Sequence, residues 1–125
     1  MAEKQCNLDK NGGGSGIVRL DYSNAERIIA NDSIAIDTTG RSYTATKAGA
    51  IVCNIRLGTN STIKTYVNEA EVSNTFTADT TAATSTSGPV YTLPLVFVDG
   101  GDVFEIKRTW GNYAWLNGAY FIPYK

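Results

Sequence analysis

The sequence predicts an all-β sandwich. Short β-rich runs recur about every ten residues, Gly and Asn turn signals separate them, and the clearest runs alternate apolar and polar side chains. A chain of 125 residues suits one domain. At that size roughly two thirds of the unfolded surface can be buried, so a core can form without cross-links.

Residues 1–16, ending in "NGGGSG", read as a flexible Gly-rich arm. The sandwich domain is predicted over 17–125. "IVRLDY" opens it as a short strand. "RIIANDSIAI" gives two apolar pieces split by the turn pair Asn31-Asp32. A helix starting at Ser23 or Asn24 competes here, since "NAERIIA" has a capping residue and helix formers. The β-branched residues that follow favour strand. "RSYTATKAGAIVCNIRLG" reads as strand, tight turn at Lys47-Ala48-Gly49, and strand. Ile51, Cys53, Ile55 and Leu57 share one face of that second strand, and Asn54 and Arg56 the other. "STIKTYVNEAEV" is a hairpin turning at Asn68-Glu69, with Ile63, Thr65 and Val67 on one side. Residues 73–88 hold nine Ser or Thr among sixteen, which predicts a polar loop or a loosely held edge strand.

"LPLVFVDGGDVFEIKR" (93–108) is apolar on both parities before its turn. Tyr91, Leu93, Leu95 and Phe97 lie on one parity; Val90, Pro94, Val96 and Val98 lie on the other. A strand apolar on both faces needs both faces covered, and one small sandwich covers only one. Pro94 argues for an edge or bulged position, because it cannot donate to a ladder. Gly100 and Gly101 suit a tight turn, with Asp99 and Asp102 bonding backbone amides beside it. The returning strand points Phe104 and Ile106 inward and Glu105 and Lys107 outward. "AYFIPYK" repeats the two-sided pattern, with Tyr120, Ile122 and Tyr124 opposed to Ala119, Phe121 and Pro123. Burying a large apolar side chain yields roughly 1.5–3 kcal/mol. That magnitude predicts a subunit interface built from Val90, Val96, Val98, Tyr120, Phe121 and Tyr124.

Composition excludes several chemistries. The chain has no histidine, so His-based triads and most zinc sites are out. Two cysteines alone cannot make a structural zinc site, and the pattern predicts neither metal nor cofactor. Cys6 lies in a polar leader and Cys53 in an apolar strand. That contrast predicts reduced thiols, with Cys53 acting as a small hydrophobe. Charge is balanced, 11 basic against 12 acidic residues, and the arginines are scattered. A nucleic-acid surface is therefore not expected. No apolar run approaches the roughly 20 residues of a membrane span, and no membrane insertion is predicted. "MAEKQCNLDKNGGG" lacks the apolar core of a secretory signal, which predicts a chain made in the cytoplasm and not exported by that route.

The ordered set "AGAIVCNIRL … IKTYVNEAEV … YTLPLVFVDGGDVFEI … AYFIPYK" resembles the globular heads of the tumour-necrosis-factor and complement type. The resemblance covers roughly residues 40–125. It rests on Ala48, Gly49 and Ile51 at a strand entry and on "YVNE" from Tyr66 to Glu69. Leu93, Leu95, Gly101, Asp102, Val103 and Ile106 match the long strand and its "GD" turn, and Ala119 to Tyr124 the last strand. It implies a jelly-roll sandwich of about eight to ten antiparallel strands, assembled as a compact homotrimer. Glu69 stands where the family often has glycine, which predicts a longer or different turn. The Ser/Thr stretch has no motif to map. More narrowly, "KQCNLDKNGGG", "DYSNA" and "YFIPYK" resemble segments of small structural proteins of tailed phages and prophages. That likeness implies a virion protein whose arm binds other virion proteins.

Three features are candidates for chemistry or binding. Asp99 with Asp102, and Glu69 with Glu71, are carboxylate pairs in or beside turns. Catalysis at either pair, or calcium binding at Asp99 and Asp102, competes with plain turn capping, and calcium wants six to eight oxygens. "RTWGNYAWLNGAY" gathers Trp110, Tyr113 and Trp115 around Gly111 and Asn112. Aromatic faces offer large contact area at low entropy cost, while Asn112 and Asn117 can bond hydroxyls, so host cell-surface glycan is the candidate ligand. Packing in the core or at the oligomer axis is the competing role for Tyr113 and Trp115, and Arg108 stacking on Trp110 is a further structural possibility. The leading expectation is a non-enzymatic phage structural or host-recognition module. A cellular lectin-like or adhesin-type binding domain is the alternative.

Overall fold

A computed structural model describes residues 19–29, 34–57, 61–77, 90–111 and 114–125. The expected Gly-rich arm, the Asn31-Asp32 turn and most of the Ser/Thr stretch lie outside the described residues. After a three-residue 3-10 turn at Tyr22–Asn24 the chain is strand. The strands are β1 (Glu26–Ile29), β2 (Ile34–Ala35), β3 (Arg41–Thr44), β4 (Gly49–Leu57), β5 (Ser61–Val67), β6 (Ala70–Thr77), β7 (Tyr91–Thr92), β8 (Val96–Val98), β9 (Val103–Trp110) and β10 (Ala114–Pro123). The longer helix that competed for the "NAERIIA" segment does not form; β1 occupies it.

The strands make two antiparallel sheets. A six-stranded sheet runs β1-β10-β4-β7, with β2 also on β10 and β8 also on β4. A four-stranded sheet runs β3-β9-β5-β6. Their facing sides form one core. Ile51, Cys53, Ile55 and Leu57 come from β4, and Leu116, Ala119 and Phe121 from β10. Ile63 of β5 and Phe104 and Ile106 of β9 answer from the other layer. Tyr43 of β3 meets Phe121 of β10 across the layers, with ring centroids 6.1 Å apart. The alternation expected for β4 and for the start of β9 is present: inward residues are buried, and Val52, Asn54, Arg56, Glu105 and Lys107 are half-buried. Buried Thr65 keeps its hydroxyl satisfied through the Ser73 hydroxyl at 2.5 Å.

The double-sided strand resolves differently from the expectation. The pairs Tyr91–Ile55 and Thr92–Asn54 would carry Leu95 to a place opposite Ile51. Val96 stands there instead, one residue later. The extra residue falls in 93–95, where Pro94 cannot donate to the ladder and the Leu93 amide donates to the Cys53 carbonyl at 2.9 Å. A one-residue slip turns every later side chain over. Val96 and Val98 therefore point into the sandwich, as does Phe121, and all three are at most 6% exposed. Placing them on an outward face was incorrect. Leu95 and Phe97, assigned inward by simple alternation, lie outside at 39% and 37% exposure.

Two turns also differ in detail. Asn68 and Glu69 form a two-residue hairpin with φ of 51° and 72°, and Val67 pairs directly with Ala70. No longer turn is needed, although Glu69 is not glycine. Gly49 belongs to β4 rather than to a turn. A Cβ there would sit 2.4 Å from the Ile122 carbonyl oxygen and 2.6 Å from the Phe121 ring, so the absent side chain permits the approach of β10. In the 99–102 turn Gly101 alone of the two glycines takes a positive φ, 92°.

Register gives the sandwich two distinct ends. At the near end Lys125 donates its amide to the Arg19 carbonyl at 2.9 Å, and Asp21 to that of Pro123 at 2.7 Å. The turns 45–48, 68–69 and 99–102 share this end and are bonded together. Gly101 donates to the Ala45 carbonyl, Asn68 to that of Val103, and the Asn68 side chain to Asp102. At the far end stand Leu57, Ser61, Trp110 and Ala114. The length of β10 separates the two ends by about 30 Å.

Candidate functional site

The outward side of the six-stranded sheet grades from polar to apolar. Near the far end Trp115 stands opposite Arg56, and the Arg56 guanidinium donates to the Asn117 carboxamide oxygen. Asn117 falls where the β10 register shifts between Leu116 and Gly118, so it adds a residue to that strand. Next, Asn54 lies between Gly118 and Thr92, whose hydroxyl donates to the Asn54 carboxamide oxygen at 2.8 Å. Toward the near end Tyr120 stands between Val52 and Arg27. Arg27 donates to the Tyr120 hydroxyl at 2.9 Å, and its guanidinium carbon lies 5.2 Å from the ring centroid. The last row is Ile122, Ala50 and Phe97. Ile122 and Ala50 are buried although they stand outside the core cluster. Val90, Leu95 and Phe97 are exposed at the β7–β8 edge of the same sheet.

The outward side of the four-stranded sheet carries ion pairs, alongside exposed Val103 and Trp110. Lys64 and Glu71 are 3.0 Å apart, and Lys107 and Glu105 3.5 Å. The Lys107 ammonium also lies 5.4 Å from the Tyr66 ring centroid. The hydrogen bond from Lys64 to Glu71 holds the ammonium protonated to higher pH than usual. These pairs are partly solvated, which makes them a wet surface rather than a stabilising network.

The aromatic candidates divide between the sheets. Trp110 ends β9 in the four-stranded sheet, opposite Thr62, and is 56% exposed. Trp115 is half-buried in β10 of the six-stranded sheet. Asn112 and Tyr113 lie outside the described residues. Arg108 donates through Nε to the Ile36 carbonyl at 3.2 Å and through a terminal nitrogen to that of Gly111. It therefore fastens the chain on both sides of Trp110. Of the expected interface residues, Val90 is 44% exposed and Tyr120 and Tyr124 are half-buried at the surface. Burial, with a smaller contribution from Asp99, raises the pKa of the Tyr124 phenol.

One carboxylate of each pair has a partner within the fold. Asp102 accepts from the Asp99 amide at 2.8 Å and from the Asn68 carboxamide at 3.0 Å, which is turn capping. Glu71 faces Lys64. Among the described residues no three His, Cys, Asp or Glu side chains gather as a metal site requires. No helix among them is long and apolar enough to cross a membrane. Cys53 is a free, buried thiol whose pKa burial pushes up to about 12. It behaves as a small hydrophobe, as expected, and Cys6 lies outside the described residues.

Sequence reasoning missed Phe97, Leu95 and the Arg27–Tyr120 pair as surface features. Pro94 was the available signal for the first two, since a bulge there reverses the parity. Nothing local marks the third, whose members are 93 positions apart. The chain matches no protein-family model and no curated protein.

Proposed function

We propose that the protein is a non-enzymatic structural or host-recognition module of a phage particle, a homotrimer of jelly-roll heads carried on N-terminal arms. The observation that supports assembly is the apolar near half of the outward side of the six-stranded sheet, with Val52, Phe97 and Tyr120 on it and Val90 and Leu95 at its edge. Full burial of a large apolar side chain is worth roughly 1.5–3 kcal/mol, and half-exposed residues recover part of that against another copy. The interface thus centres on Phe97, Leu95, Val90 and Tyr120, rather than on Val96, Val98 and Phe121. The strand order β1-β10-β4-β7/β8 over β3-β9-β5-β6 supports a jelly-roll winding. The segments resembling phage structural proteins support the virion assignment.

The two ends support a division of labour. Arg19, which follows the N-terminal arm, lies beside Lys125, and exposed Trp110 stands at the opposite end. An arm that binds other virion proteins would turn exposed Trp110 outward, toward host cell-surface glycan. Three weak sites on one rigid head raise avidity without stronger individual contacts.

Light scattering on the purified chain, glycan-array binding of wild type and Trp110→Ala, and peptide mass spectrometry of purified particles test the three parts. The expected results are three times the 13.4 kDa chain mass, array binding lost in the variant, and the protein's peptides in the particles. A single-chain mass at micromolar concentration overturns the trimer. Equal array binding by both proteins, or none by either, removes Trp110. Particles free of the protein leave the cellular binding domain as the better reading.

A further inference from the structure

We draw no further inference here: the strongest candidate, the open groove of about 420 Å³ lined by Ser42, Asn68, Glu69, Val103 and Glu105 at the near end of the four-stranded sheet, carries nothing because Asn68 and Glu105 are already bonded within the protein and nothing in the structure points to a ligand for its acidic side chains.

Discussion

On the outside of the four-stranded sheet Lys64 faces Glu71 and Lys107 faces Glu105, while on the outside of the six-stranded sheet Val52 stands opposite Tyr120 and Phe97 opposite Ala50. Inside, both sheets present the same kind of side chain to one core. The two layers differ most where they face away from each other, although the four-stranded sheet also buries Thr65 inside and exposes Val103 and Trp110 outside. Ion pairs in water cost little to leave wet, whereas exposed aromatic and branched side chains gain from any cover. The contrast separates residues that hold the fold from residues that the proposed trimer would cover.

Phe121 and Phe97 test that separation with the largest expected effect. Phe121→Ala should cost about 3–5 kcal/mol of folding stability, because it opens a cavity between the sheets. Phe97→Ala should leave the single chain folded and weaken the proposed trimer, lowering the assembled mass or raising the concentration that assembly needs. Urea denaturation with light scattering reads both. Comparable loss of stability from the two variants, with unchanged assembly, would erase the distinction between inside and outside.

Gly49 sharpens the comparison at the inner surface. Gly49→Ala puts a Cβ against backbone, the Ile122 carbonyl, so little can yield without moving β4 from β10. Overpacking of this kind costs about 1–3 kcal/mol. Thermal unfolding checks it, and a variant as stable as wild type would show that β10 can shift freely there.

How far the fold was legible follows from which rules each strand obeys. β4 keeps strict alternation from Ile51 to Leu57, and its inward and outward sets could be read directly. The same holds for Phe104 to Lys107 in β9. The 90–98 run keeps alternation only on either side of Pro94, so counting by twos through it put Val96 and Val98 outside and Phe97 inside. Phe121 was misassigned for another reason. Both parities of "AYFIPYK" are apolar, and the pattern alone does not rank Phe121 above Tyr120. Of the aromatic candidates, Trp110 and Trp115 belong to strands of different sheets, a division that the 108–120 run does not signal, and Asn112 and Tyr113 lie outside the described residues.

At the 68–69 turn the sequence and the backbone conflict, and the conflict predicts a gain. Glu69 is exposed and holds a φ of 72°, a region where an L side chain costs roughly 1–2 kcal/mol relative to glycine. Glu69→Gly should stabilise the chain by about 1 kcal/mol, after allowance for the greater unfolded freedom of glycine. Thermal unfolding again measures it. Loss of stability would mean that the Glu69 side chain contributes more to the four-stranded face than the strain it imposes.

The smallest effect concerns acid, and it falls on exposed turns rather than on either sheet. Asp37 accepts from the amides of Gly40 and Thr39, each at 3.0 Å, and the Gly40 bond is the main reason its pKa lies below the usual 3.8. Asp21 is lowered likewise, first by the Ser23 hydroxyl and then by the Asn24 carboxamide. A carboxylate with a depressed folded pKa adds stability that is fully present above its unfolded pKa and is lost as pH falls through the folded one. The loss therefore begins near 3.8 and is complete only below the folded value. Asp37→Asn keeps an acceptor oxygen but no charge. Its melting temperature should sit slightly below that of wild type at neutral pH and converge with it well below pH 3.8. Curves that stay parallel through that range would remove Asp37 from the acid response and leave the difference to uncharged hydrogen bonding alone.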